Sequence, residues 1–236
     1  MTLGHGLAKS RAECAVAVMN WCGVSARVQI EHAIGLTRAV LVLADSGLRI
    51  ESVPLVRLTM ECAVTAVWLT MVSGSGKASY HRATVDFKNL NLALLKIENG
   101  PADHEADVKM IDAEIETLET FRQKEAKSFL DRCASVDSGV WLYAYYRLFS
   151  KTSHGGANLN DEYLQTVEHS REAPLGLAFK DQQDFALWPI VLAFQVTMLF
   201  NALQAWDRTS QTHSRKAALD TIRSQHEIAL FDRLLG

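Results

Sequence analysis

Hydrophobic positions along the chain recur mostly at the spacing of one α-helical turn. Clusters of glycine, serine, asparagine and proline separate these segments, and such clusters are typical of turns. The predicted helices cover residues 7–22, 25–46, 52–73, 78–98, 104–134, 138–153, 159–170, 181–207 and 211–234. No stretch shows the strict alternation and hairpin signals of half-buried strands. The pattern therefore predicts an all-α protein, a multi-helix bundle.

The composition favours one folded unit. Hydrophobic residues make up 48% of the 236 residues, which is enough material for a continuous core. Neither an internal repeat nor a change of composition marks a boundary, so we predict a single domain over residues 1–236. The formal net charge of -3 provides no global positive field, and any contact with nucleic acid must therefore be local.

The segment FALWPIVLAFQVTMLFNALQAW, residues 185–206, contains no charged side chain and is long enough to cross a bilayer. Its polar Gln195, Asn201 and Gln204, its weakly basic flanks and the absence of a second comparable span favour a central bundle helix instead. Pro189 predicts a kink or a late helix start. Membrane association through this segment stays as the alternative.

The cysteines indicate a reducing compartment. Cys14, Cys22, Cys62 and Cys133 are far apart, lack CxxC spacing and lie mostly in apolar helical segments. The N-terminal MTLGHGLAKSRAEC lacks the basic start and unbroken apolar stretch of a signal peptide. We therefore expect reduced thiols in a cytoplasmic protein.

Two familiar kinds of site are not expected. The stretch SGSGKAS at residues 73–79 lacks the first glycine and the final Ser or Thr of a phosphate loop and follows a helix, so it predicts an ordinary interhelix loop. The eight histidines are dispersed and no Glu-x-x-His pair occurs. No metal site and no cofactor are therefore predicted.

The apolar segment at residues 53–72 contains only two charges, Arg57 and Glu61, one helical turn apart. Charges in such surroundings are costly unless they are paired or hydrogen-bonded. One interpretation is a buried pair that fixes packing. The other is that Glu61 reaches a neighbouring helix and orients Arg147 or His154.

The segment YAYYRLFSKTSH, residues 143–154, holds the most informative chemistry. Its polar stripe at helical spacing contains Tyr143, Arg147, Ser150, Lys151 and His154. Arg147 and His154 lie about 20° apart around the helix axis and roughly 10 Å apart along it. Guanidinium donors and an imidazole that titrates near neutrality suit phosphate handling. A histidine in the last turn is also favoured by the helix dipole, so a purely structural role stays open.

The other side of this helix is expected to attach it to the core. That apolar side contains Trp141, Leu142, Tyr145, Leu148 and Phe149.

The spacing Arg147-x6-His154 resembles the Arg-x4-6-His signature of the higher-eukaryote-and-prokaryote nucleotide-binding (HEPN) superfamily. The combination of RLTMECAVTAVWL at 57–69 with YRLFSKTSH at 146–154 is also similar to a group of uncharacterised bacterial helical proteins. Those proteins share an early Arg-x-x-x-Glu helix and a later Tyr-Arg-x-x-Ser-x-x-x-His segment. HEPN domains are helical bundles, commonly dimeric, and many are metal-independent ribonucleases of toxin–antitoxin and phage-defence systems.

The resemblance implies an endoribonuclease in which Arg147 stabilises the scissile phosphate and His154 is the general acid or base. The residues expected to support this pair are Glu61, Arg57, Tyr146, Ser150 and Lys151. The partners it implies are RNA or a nucleotide, a second copy in a homodimer, and an antitoxin or another protein. The alternative is a non-catalytic helical module that binds a nucleotide or a protein partner.

Overall fold

The computed structural model describes residues 21–96, 104–136, 139–153, 157–180, 185–210 and 213–228. Within these ranges the chain forms ten α-helices, one 3-10 turn (Glu119–Phe121) and one two-stranded antiparallel sheet. The elements are α1 (Trp21–Asp45), α2 (Arg49–Met71), α3 (Ser75–Leu95), α4 (His104–Leu118), α5 (Lys124–Lys127), α6 (Phe129–Ala134), α7 (Gly139–Ser153), α8 (Ala157–Tyr163), β1 (Leu164–Thr166), β2 (Leu177–Phe179), α9 (Trp188–Thr209) and α10 (Lys216–His226). The predicted all-α class is confirmed, while nearly all of the predicted helix 7–22 lies outside the described residues.

The central helix of the bundle is α2, which packs against α1, α7 and α9. Its buried apolar side chains lie on opposite sides of the helix: Val53, Val56 and Met60 share one face, and Cys62 and Leu69 lie on the other. A helix that is hydrophobic all round needs neighbours all round. Each such side chain, fully buried, stabilises the fold by about 1.5–3 kcal/mol relative to exposure.

The segment 185–206 was expected to be that central helix, and this expectation is wrong in part. Helix α9 buries one face, on which Val191, Met198 and Ala202 recur at helical spacing. Its outer face leaves Ile190 39% and Val196 54% exposed. The helix begins at Trp188 with Pro189 in its first turn, so the predicted late start is confirmed.

One buried amide connects three helices. Gln195 of α9 is 2% exposed, and its Nε2 donates to Thr59 Oγ1 of α2 at 3.3 Å and also to the Thr37 hydroxyl of α1. Each threonine hydroxyl in turn donates to a carbonyl of its own helix, at 2.8 Å for Thr37 and 2.9 Å for Thr59. Both hydroxyls therefore donate and accept, as a buried polar contact requires.

The predicted helix 104–134 is broken, because α4 ends at Leu118 and two short helices follow a 3-10 turn. Arg122 and Gln123 have extended backbones, and Gln123 Nε2 donates to the Ser73 carbonyl at 3.2 Å. Ser128 then caps α6, since its Oγ accepts from the Asp131 amide at 3.2 Å. This long-range anchor and this cap interrupt an otherwise helical pattern.

The predicted helix 159–170 is also wrong beyond Tyr163, where the chain enters β1. Leu164 pairs with Phe179 and Thr166 pairs with Leu177. Gly176, with a φ of +66°, provides the turn conformation that the Ala-Pro-Leu-Gly cluster predicted. Strands of three residues are too short for an alternating pattern to stand out in the sequence.

The interhelix loop predicted for SGSGKAS, residues 73–79, is limited to Ser73 and Gly74, because α3 already begins at Ser75. Gly74 precedes the helix with a φ of +77°, and Ser75 is already helical and fully buried. The Ser75 hydroxyl donates to the Leu69 carbonyl at 3.0 Å. This serine therefore joins α2 to α3 and is inaccessible to a phosphate.

Two helices, α2 and α9, are long and apolar enough to cross a membrane by length and composition. The expectation that residues 185–206 have no comparable second span is thus wrong. Within the apolar windows of α2 and α9, 61% and 39% of the residues are buried inside the protein. Core helices of soluble proteins pass the same criterion.

We expect Gly139→Ala to destabilise the protein by about 2–3 kcal/mol, which is typical of overpacking against backbone. A Cβ at this position would lie 1.5 Å from the Cys133 carbonyl oxygen, so α6 and α7 must separate. Gly35→Ala is the control, because a Cβ there meets nothing within 4 Å. In urea unfolding the control should gain about 0.5–1 kcal/mol. Equal stability of the two variants would contradict the close approach.

We also expect stability to fall at alkaline pH because of two core thiols. Burial raises the pKa of Cys62 from 9.0 to about 11, with the Glu61 charge adding to the shift, and burial raises the pKa of Cys133 to about 12. Because the folded protein holds these thiols protonated more strongly than the unfolded chain does, they stabilise the fold. This contribution is complete below pH 9.0 and is lost as the pH rises through about 11 for Cys62 and about 12 for Cys133. Urea unfolding should show a smaller alkaline loss for Cys62→Ala/Cys133→Ala than for wild type. Parallel profiles would refute this assignment.

Candidate functional site

Helix α7 carries the predicted arginine on its exposed face. Arg147 is exposed, and so are Ala144 one turn before it and Lys151 one turn after it. Within the part of the chain that the structure describes, no hydrogen bond or ion pair engages the Arg147 guanidinium. His154 follows the last residue of α7 but lies outside the described residues, so its distance from Arg147 stays a prediction.

The inner face of α7 attaches it to the bundle. Leu142 is 6% and Phe149 2% exposed, and Tyr145 and Phe149 contact the Phe194 ring of α9 at centroid distances of 4.1 and 5.7 Å. Trp141 was expected on this face but is 71% exposed. Because it precedes Leu142 by one residue, its side chain is rotated by about 100° away from the buried row.

Tyr146 lies at the junction of three helices. Its ring contacts Phe129 of α6 at 4.4 Å and stacks on Tyr143 at 5.9 Å between centroids. The Arg57 guanidinium of α2 lies over the same ring, 4.9 Å from its centroid. A cation over an aromatic face is attractive, and more so where water is partly excluded. Tyr146 therefore fixes α7 against α2 and α6.

The Arg57–Glu61 pair of the sequence interpretation is present. Arg57 Nη2 donates to Glu61 Oε1 at 3.3 Å, and the two side chains are 24% and 29% exposed. Burial raises the pKa of Tyr146, the Glu61 charge adds to the increase, and the Arg57 charge opposes it. The Tyr146 hydroxyl therefore keeps its proton at neutral pH and can donate.

Arg132 of α6 belongs to the same arrangement and was missed in the sequence. Burial lowers the pKa of Arg132, and the negative charge of Glu61 partly offsets this decrease. Its Nη1 donates to the carbonyl oxygens of Glu125 at 2.8 Å and Ala126 at 3.3 Å. The usable signal was Ser128-x-x-Asp131, a helix start that places Arg132 in a new helix and not on a solvated stripe.

We call Arg57, Glu61, Arg132 and Tyr146 the ionic cluster. It connects α2 and α6 to α7, the helix that carries Arg147. Arg57 lies over the ring of Tyr146, the residue before Arg147, so the cluster fixes the position from which Arg147 projects.

The two remaining predicted supporting residues, Ser150 and Lys151, differ in their availability to a ligand. Ser150 donates its hydroxyl to the Tyr146 carbonyl at 2.7 Å, so its proton is already engaged within α7. Lys151 is exposed beside Arg147. Over the described ranges, no group of three or more His, Cys, Asp or Glu side chains is arranged to hold a metal ion.

Glu61→Gln should reduce the free energy of unfolding by about 1–3 kcal/mol, because two partly buried guanidiniums lose their counter-charge. Glu31→Gln is the matched control, since the Arg27–Glu31 pair has the same spacing but is 65% and 54% exposed, with a contact of 3.8 Å. Chemical denaturation should place the control within about 0.5 kcal/mol of wild type. Similar losses in both variants would show that the ionic cluster stabilises the fold no more than an exposed ion pair does.

Comparison with known proteins adds a family but no activity. No curated protein and no solved structure matches the chain. The profile of one protein family, a family of unknown function named DUF5677, matches residues 30–172, which include the ionic cluster and the Arg147 face of α7. The chain therefore belongs to the DUF5677 family.

Proposed function

We propose that this protein is a metal-independent endoribonuclease of a bacterial defence or toxin–antitoxin system, and that it is related to the HEPN superfamily. The observation that carries the proposal is the exposed Arg147, which has no partner among the described residues and follows directly on Tyr146, a residue that the ionic cluster holds in place. An arginine with free donors on a fixed backbone suits recognition of a phosphate. The family match contributes no activity of its own.

In the proposed reaction, Arg147 binds the non-bridging oxygens of the scissile phosphate and stabilises the charge that develops on them. His154 removes the proton from the ribose 2′-OH, whose oxygen then attacks phosphorus. The bond from phosphorus to the 5′-oxygen breaks, the leaving oxygen takes up a proton, and a 2′,3′-cyclic phosphate remains. Lys151, exposed one turn from Arg147, is available for a neighbouring phosphate.

A homodimer is part of the proposal, because the reaction needs both a general base and a general acid and each copy supplies one histidine. Two copies in one cleft would bring together two Arg147/His154 pairs, so that one histidine acts as base and the other as acid. Val140 and Trp141, at the start of α7, are 78% and 71% exposed. Exposed large hydrophobic side chains next to the proposed site support a protein contact there, with a second copy or with an antitoxin.

A non-catalytic interaction module is the second candidate, and the β1–β2 hairpin favours it. Leu175 and Phe179 are each 79% exposed, and Leu177 is 45% exposed. A two-stranded hairpin with an uncovered apolar surface gains stability from a further strand or a covering partner. Under this candidate the Arg147 face binds phosphate or protein without cleaving RNA.

We expect purified protein to cleave RNA in the presence of EDTA and to leave 2′,3′-cyclic phosphate ends. Arg147→Ala should lower the rate by about 10²–10³-fold through lost transition-state stabilisation. His154→Ala should lower it by about 10²–10⁴-fold through lost proton transfer. Gel analysis of a labelled RNA, with chemical mapping of the product ends, measures both effects.

The matched controls are Arg38→Ala and His32→Ala, which remove the same two residue types from the exposed surface of α1. Both should retain wild-type cleavage. Absence of cleavage by wild-type protein, or equal cleavage by all four variants, would exclude the ribonuclease proposal and leave the interaction module.

A further inference from the structure

A second polar region lies among α3, α4 and α5. A cavity of about 580 Å³ opens where α3, the end of α4 and α5 meet. Arg147 does not line it. The volume is within the usual range for sites that bind small molecules. The ribonuclease proposal makes no use of this cavity.

The described residues that line the cavity carry a local excess of positive charge. Four cations, Arg82, Arg122, Lys124 and Lys127, face one lining carboxylate, that of Glu119. Arg82 is also paired with Asp86, one helical turn further along α3. The chain as a whole has a formal net charge of -3, so the charge of this cavity opposes that of the protein. A positive concavity on a mildly acidic protein concentrates small anions locally.

Two of these cations have no counter-ion within the described ranges. Lys124 and Lys127 are exposed, three residues apart on α5, and among the described residues neither takes part in a hydrogen bond or ion pair of its side chain. Arg122 Nη1 donates to Glu119 Oε1 at 3.1 Å and keeps further N–H groups for another acceptor. The cavity therefore presents two free ammonium groups and part of a guanidinium.

A buried histidine fixes the position of the Glu119 carboxylate in the cavity lining. His81 of α3 is 8% exposed, and its Nε2 lies 3.1 Å from Glu119 Oε2. The hydrogen bond from Arg122 holds the pKa of Glu119 below its usual range, and His81 contributes in the same direction. Glu119 is thus an acceptor at neutral pH, and His81 donates to it. This carboxylate is occupied in fixing Arg122 and His81.

The remaining wall is apolar. Val85 of α3, Ile115 of α4 and Ala126 of α5 line it. Gln123 is anchored to the Ser73 carbonyl, and its buried Oε1 lacks a partner in the described part of the chain. A ligand for such a site needs an anionic end for the lysines and a small apolar body for the wall, with a hydroxyl as a suitable donor to Gln123.

We propose that this cavity binds a small phosphate monoester with an apolar or aromatic body. The phosphate contacts Lys124, Lys127 and Arg122, because charge-assisted hydrogen bonds to phosphate are the strong ones. The organic group lies against Val85 and Ile115. Lys124 and Lys127 follow directly on the extended residues that break the predicted helix 104–134, so the break places these lysines at the cavity.

Titration calorimetry with phenyl phosphate, inorganic phosphate and phenol tests the proposal on the full chain. Phenyl phosphate should bind saturably at one site, more tightly than inorganic phosphate, and phenol should not bind. Lys124→Gln/Lys127→Gln should weaken phenyl phosphate at least about tenfold, as expected when charge-assisted contacts are lost. Lys96→Gln/Lys109→Gln, which removes two exposed lysines outside the cavity, should leave the affinity unchanged.

A second pair of variants tests the apolar wall. Val85→Asp puts a negative charge into the cavity, whereas Ala83→Asp puts the same charge on the exposed side of the same helix. Val85→Asp should abolish binding, and Ala83→Asp should retain it, with circular dichroism confirming helical folding. If Val85→Asp does not fold, the lysine variants still decide.

Three outcomes of the calorimetry would overturn the proposal. They are absence of saturable phenyl phosphate binding, equal weakening by the cavity lysines and the control lysines, and equal affinity for phenyl phosphate and inorganic phosphate. Binding of an RNA oligomer without a terminal phosphate that depends on Lys124 and Lys127, in the absence of phenyl phosphate binding, would also overturn it and would assign this surface to nucleic acid. None of these readouts depends on RNA cleavage, so failure here and failure of the ribonuclease proposal are distinguishable.

Discussion

Helix α2 carries a positive and a negative charge into a mainly apolar interior, and the placement of its neighbours depends on how those two charges are paired. Arg57 and Glu61 pair within the helix, but a pair that is only about a quarter exposed still loses most of its hydration. The Tyr146 ring covers Arg57, and Glu61 also acts on Arg132. Helices α6 and α7 are therefore attached to α2 through its charges, in addition to apolar contact.

A neutral contact performs the same role on the other side of α2. Gln195 bridges hydroxyl groups of α1 and α2, and each hydroxyl is also engaged with its own helix. Buried hydrogen bonds of this kind add little net stability, yet a register shift that breaks them leaves polar groups unsatisfied at a cost of about 1–3 kcal/mol each. Together, Gln195 and the ionic cluster favour one arrangement of five helices, α1, α2, α6, α7 and α9, over other arrangements with similar apolar packing.

The positive groups proposed to bind ligands lie on two different parts of this framework. Arg147 projects from α7, whose backbone the ionic cluster fixes at Tyr146. Lys124 and Lys127 belong to the four-residue helix α5, which is anchored by Gln123 before it and by the contacts of Arg132 with two of its carbonyls. Arg132 therefore touches both regions, since it joins the ionic cluster to the segment that lines the cavity. The family match at residues 30–172 includes both.

Interactions within one or two helical turns were determined by the sequence itself. The all-α class, the Arg57–Glu61 pair, the start of α9 near Pro189 and the exposure of Arg147 all follow from helical periodicity and from local backbone chemistry. Tertiary structure decided what lies further apart along the chain. The Gln123–Ser73 anchor helps to break the predicted helix 104–134, and Arg132 comes under the influence of the Glu61 charge from a separate helix. The choice of α2 over α9 as the central helix depends on how many neighbours cover each, because the burial of a side chain is a property of the assembled fold and periodicity reports only which side chains share a face.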